Sequence, residues 1–213
     1  MDDLSTYRLS DFILFSETSY YRLYENYNQA IWPLHIVAGL FAGLIIIAVC
    51  KKPYENRSDA NEQKWAGRIS AAVLVISWLW VAYVFLYQRF YQIHVVANWY
   101  ALGFVVQAGL IGWFGLLKDR FARPCDNGIR EMTTMLLGLL FIAAGILIYP
   151  FIAFITGRPW QQFEMFALAP DPTALVTLGI LLFYKVYKSG AARILFVIPV
   201  SWLVISYTTL VVM

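Results

Sequence analysis

The sequence predicts an all-α integral membrane protein: six transmembrane helices, both termini outside, and an amphipathic N-terminal segment on the outer face. Three observations carry this. Hydrophobic residues make up 61% of the 213 residues and charged residues only 14%, against about 25% charged in soluble domains. Mean hydropathy is +0.63, and the apolar residues fall in runs of the roughly 20 residues that cross a bilayer. Lysine and arginine then divide unevenly between alternate loops.

The first run follows a mixed-charge segment, with neither a basic leader nor a small-residue cleavage site, so a removable signal peptide is not expected. Spans are predicted at 30–50, 67–87, 95–117, 133–156, 172–188 and 193–212. The fifth is short and is expected to start sharply at Asp171-Pro172-Thr173, with Asp171 as N-cap and Pro172 at the first helical position. Two units result: an outer amphipathic segment, 1–29, and the bundle, 30–213.

Lys51, Lys52, Arg57, Lys64 and Arg68 sit in the first inner loop, Lys118, Arg120, Arg123 and Arg130 in the second, and Lys185, Lys188 and Arg193 in the third. Only Arg8, Arg22, Arg89 and Arg158 remain for the other side. The positive-inside rule puts the first set in the cytoplasm of a bacterial inner membrane. Cys50 and Cys125 then face the reducing side, and they lack Cys-x-x-Cys spacing. No basic–aromatic cluster points to nucleic acid, and no inverted repeat is evident. The expected partners are the lipid bilayer and a membrane protein or a second copy of the chain.

The outer face holds the unusual residues. Ser10-Asp11 precedes an apolar patch, Phe12–Phe15, and Ser16 to Ser19 offers a helix start. Tyr20, Tyr24, Tyr27 and Ile31 then share one helical face, with Arg22 and Glu25 on another. This helix reads either as an interfacial anchor or as a lid over the bundle mouth. His35 lies one turn inside the first span, and His94, the only other histidine, opens the third with Asn98 four residues on. The candidate ligand-binding set is Glu25, Asn28, Trp32, His35, His94, Asn98, Glu164 and Asp171. His35 and His94 are candidate metal ligands: with a carboxylate they suit Zn²⁺ or Cu²⁺, or face to face a haem. No cofactor is required. They also read as hydrogen-bonded interfacial residues, or as a solute or proton site.

Gln107 is almost the only strongly polar residue predicted near the middle of spans one, three and four. Gly39-x-x-x-Gly43 and Gly103, Gly109, Gly112 and Gly115 read as packing positions. No Ser/His/Asp set or His-Glu-x-x-His is present, so no catalytic residue is assigned.

Several motifs resemble a known family: Tyr7-Arg8-Leu9-Ser10-Asp11-Phe12, Tyr27-Asn28 followed by Trp32-Pro33, Pro172-Thr173 with Thr177-Leu178-Gly179, and Ile198-Pro199 with Trp202. They are similar to a bacterial six-span membrane family catalogued as domain of unknown function 6064. That resemblance implies the architecture and no activity. It also implies a cysteine ahead of the Pro-Thr pair, where this chain has Asp171; a carboxylate suits a hard or borderline ion rather than thiolate chemistry. The function expected is handling of a small solute or ion through an outward-facing mouth. The alternative is a non-catalytic subunit or assembly factor of a larger membrane complex.

Overall fold

The computed structural model describes residues 16–51, 57–121 and 129–212, and every regular element among them is helical. The Tyr7–Phe12 run, the Phe12–Phe15 patch and Cys125 lie outside the described residues. The α-helices are α1 (Glu17–Ala30), α2 (Leu34–Cys50), α3 (Arg57–Trp80), α4 (Ala97–Ile111), α5 (Ile129–Ala143), α6 (Ile152–Ile155), α7 (Pro170–Phe183) and α8 (Val197–Val212). Helices α3, α4 and α5 run on through π turns at Val81–Tyr87, Gly112–Leu117 and Ala144–Ile148.

Among the described residues, four continuous helical stretches are long and apolar enough to cross a membrane: Asn61–Gln92, Ala97–Leu117, Met132–Ile155 and Gly190–Val212. The pair α1 and α2, bent by 93°, counts as a fifth if taken as one span. The break is local: Ile31–Pro33 forms a turn, with a cis bond between Trp32 and Pro33. The 14 residues of α7 reach only about 21 Å, short of a hydrocarbon core of about 30 Å.

That short helix is the centre of the bundle. Nearly every residue of α7 is buried, whereas α2 leaves Ile36, Leu40 and Ile47 exposed. Helix α5 runs antiparallel to α7 at backbone contact: a Cβ at Gly138 would lie 2.7 Å from Gly179 O, and one at Gly145 would lie 2.9 Å from Pro172 O. From α3, Trp78 Nε1 donates to Thr177 Oγ1 at 2.8 Å. Helix α4 packs antiparallel to α3 through Phe104 on Trp78 and Gly115 on Ala71. The glycines that pack are therefore Gly67, Gly115, Gly138, Gly145 and Gly179. Gly39, Gly43, Gly103 and Gly109 have nothing within 4 Å of an added Cβ, which corrects the packing role expected of them.

Helix α1 starts where the sequence indicates: Ser16 caps it by accepting from Ser19 N at 3.2 Å. Its Tyr20, Tyr24, Tyr27 and Ile31 face is buried against Phe85 and Phe90, at ring separations of 4.9 to 6.1 Å. Helix α1 thus lies across one end of the bundle, the capped end. At the other end Arg68 clasps Asp119 through two hydrogen bonds.

Candidate functional site at the capped end

Helix α1 holds the 156–169 connection in place. Asn28 Nδ2 donates to Gln161 O and Phe163 O, both at 2.8 Å. Tyr27 OH donates to Leu168 O at 2.9 Å and accepts from Trp80 Nε1 at 2.9 Å. Ala167 takes a positive φ of 72°; its N–H donates to Thr173 Oγ1, which donates in turn to Ala169 O. Thr173 thus closes the turn, and α7 starts at Pro170, with Ala169 at the N-cap position and no side-chain cap. This corrects the expectation that Asp171 caps the helix.

Asp171 instead turns into the bundle. It is 3% exposed and accepts from Tyr149 OH at 2.9 Å, Trp202 Nε1 at 2.6 Å and Ser206 Oγ at 2.6 Å. Three neutral donors suit a carboxylate anion. Glu164 is 8% exposed and meets Arg158 at 3.9 Å, while its Oε2 has no hydrogen-bond partner. Arg158 is shared, its guanidinium lying 3.9 Å over the Tyr21 ring. Burial, and next the charge of Asp171, push Glu164 up to about 8; Arg158 and the Tyr24 hydroxyl oppose this and lose. The site therefore holds two carboxyls and one cation in a desolvated space.

Beside it lies an aromatic mouth of about 440 Å³, lined by Asn28, Gln29, Trp32, His35, Trp160, Gln161 and Phe163. Trp160 and Phe163 stack with ring planes 1° apart at 5.4 Å, and His35 sits 5.1 Å from Phe163 and 5.9 Å from Trp32. Asn28 spends its amide hydrogens on two carbonyls, so its Oδ1 faces His35 Nε2, at 3.4 Å. Nε2 therefore carries the proton and Nδ1 the lone pair, and Nδ1 has no partner. Glu25 lies at the edge, accepting a long hydrogen bond from Gln162 at 3.4 Å.

His94 faces a different cavity, of about 50 Å³, with Tyr20, Phe90, Tyr100, Trp202, Ser206 and Thr209 among its walls. Burial lowers the His94 pKa. His94 precedes α4 rather than lying on it, so the spacing of four does not align it with Asn98, which is exposed. Asn28, beside His35, and Tyr20, beside His94, stand about 12 Å apart along α1. The structure does not bring the two histidines together, and among the described residues no group of three or more His, Cys, Asp or Glu is placed to hold a metal.

Of the sequence candidates, Asn28, Trp32 and His35 converge on the mouth, and Glu164 and Asp171 on the buried pair. Tyr149, Trp202 and Ser206 were missed. Trp202 and Ser206 are four apart on the last helix, a spacing that marks one face, but nothing local says what that face meets.

The described residues are thus all-helical, with apolar helices long enough to cross a membrane four or five times and a buried acidic pair under a tyrosine-faced helix. The chain belongs to the family of unknown function DUF6064, which residues 17–213 match. No curated protein and no solved structure matches it.

Proposed function

We propose that this is a six-span inner-membrane protein that binds a small, uncharged, largely apolar solute in the aromatic mouth at its outer, capped end. The observation that carries the solute reading is the mouth itself. Its volume of about 440 Å³ is within the usual range for ligand pockets of roughly 300–1,000 Å³. Its walls are aromatic with few polar groups and no charge, and His35 and Asn28 are already oriented by their own hydrogen bonds. Stacked Trp160 and Phe163 suit a flat molecule.

Six crossings are supported by Asp171. Tyr149, near the end of Met132–Ile155, and Ser206, near the end of Gly190–Val212, both donate to its Oδ2. Both helices therefore run toward the capped end, and the chain between them must return the full depth. Helix α7 and the 3₁₀ turn of Val186–Lys188 would make that return. The basic loops at the opposite end favour a cytoplasmic location there.

Titration calorimetry of the detergent-purified protein with benzamide, a flat neutral probe, tests the mouth. Benzamide is expected to bind, and binding should be lost in Trp160→Ala and His35→Ala with folding retained. Absence of binding, equal binding in the variants, or binding of tetramethylammonium in preference to benzamide overturns the reading. Epitope tags at both ends should be cleaved together by external protease on spheroplasts; cleavage of one alone overturns six crossings.

A further inference from the structure

The buried pair lies beside the aromatic mouth but lines none of it, and it asks for a different ligand. Glu164 and Asp171 are contributed by the 156–169 connection and by α7, and both lie under α1. The groups facing them are Tyr20 and Tyr24 from α1, Arg158 from the connection, Tyr149 just before α6, and uncharged Trp202 and Ser206 from α8. Tyr21 and Glu17 lie further out along α1. Arg158 is the one cation among them.

Asp171 is saturated by its three donors. Glu164 is not: its Oε2 is more than nine-tenths buried with no partner, and Arg158 Nη1 likewise lacks a hydrogen bond. A buried carboxylate left open to a like charge takes up a cation or a proton. Among the described residues no grouping of ligands suits a metal ion, so the proton is the ligand that fits.

A route for it is laid out in hydroxyls. Tyr24 neighbours Glu164, the Tyr20 and Tyr24 hydroxyls lie 3.4 Å apart, and Tyr20 lines the cavity that holds His94, Ser206 and Thr209. That cavity, about 50 Å³, has room for a few waters at roughly 10–15 Å³ each.

We propose that Glu164 and Asp171 form a proton-binding site: the pair carries one proton, on Glu164, which exchanges through Tyr24 and Tyr20 with the His94 cavity. In the step the Glu164 O–H bond breaks, the carboxyl becomes a carboxylate, and the proton passes along the hydroxyls to water as hydronium. No electron moves, and return of a proton restores the carboxyl. This reading is independent of solute binding in the mouth.

Infrared difference spectra of the full chain in lipid nanodiscs, titrated from about pH 5 to about pH 10, test it. A protonated-carboxyl C=O band is expected that disappears with a midpoint near neutrality or above, is absent in Glu164→Gln, and has its midpoint lowered by about one pH unit or more in Asp171→Asn. Tyr20→Phe should slow hydrogen–deuterium exchange of that carboxyl about tenfold. No such band at about pH 6 in the unmodified protein, survival of the band in Glu164→Gln, or an unmoved midpoint in Asp171→Asn overturns the site. Unchanged exchange in Tyr20→Phe overturns the route. Should Glu164→Gln fail to fold, the unmodified chain and Asp171→Asn still decide the matter.

Discussion

Trp202 Nε1 donates to Asp171 Oδ1 at 2.6 Å across the contact between α7 and α8. The bond joins the first turn of the central helix to the last helix of the chain, and Ser206, one turn on, adds a second tie from the same face. Removing the indole leaves a buried carboxylate with two donors instead of three. Trp202→Phe is expected to cost about 1–3 kcal/mol, read as a lower thermal midpoint in detergent. Asp171→Ala combined with Trp202→Phe should lose less than the two single changes together, because each removes one partner of the same bond. Strict additivity would mean that the bond contributes nothing.

Asn28 holds the 156–169 connection by two carbonyls and fixes His35 with its remaining oxygen. Asn28→Ala should therefore act locally. A loss of about 1–2 kcal/mol is expected, together with faster amide exchange across residues 161–168. Asn26→Ala, on the exposed face of α1, should change neither. Equal effects from the two would mean that α1 as a whole, and not Asn28, secures the connection.

The apolar helices of membrane-crossing length and most helix positions were legible, because apolar length is a local property. The tyrosine face of α1 was legible for the same reason: a spacing of four, three and four survives without knowledge of what it meets. Asp171 shows where this stops. Asp-Pro-Thr reads as a helix start, and a helix does start there, but the side chain is drawn inward by Tyr149, Trp202 and Ser206, which lie 22 to 35 residues away. Glycine spacing misled in the same way. Gly39 and Gly43 have the pattern of a packing pair, yet the close approach is made by Gly138 and Gly179, which need each other's backbone and carry no shared motif. His94 and Asn98 fail for a simpler reason: the helix that would align them begins at Ala97.

The glycine assignments separate by sign. In a helix, Gly→Ala gains up to about 1 kcal/mol from backbone entropy. Gly39→Ala should keep that gain, since nothing lies within 4 Å of the new methyl. Gly179→Ala places the methyl 2.7 Å from Gly138 O and 2.8 Å from Ile142 N, where neither backbone can yield without moving α5. A net loss of about 1–3 kcal/mol is expected, read from denaturation in mixed micelles. A loss at Gly39 as large as that at Gly179 would show that the exposed face of α2 meets a second chain.

The Glu164 carboxyl links folding to pH. Its folded pKa is about 8, and its ordinary value is 4.5. Between those values the folded chain holds a proton that the unfolded chain has released, so stability falls as pH rises through this window and levels off above it. The stabilising contribution is fully present below about 4.5 and is lost by the time pH passes about 8. Glutamine mimics the protonated carboxyl throughout. Glu164→Gln should thus match the unmodified protein in thermal midpoint under acid conditions and exceed it under alkaline ones, by a free energy of a few kcal/mol at most. Thermal unfolding of both proteins across this range reads the difference. A gap that is constant with pH would show that Glu164 titrates no differently in the folded and unfolded chains, and a gap that closes as pH rises would show that Arg158 dominates Asp171 at this carboxyl.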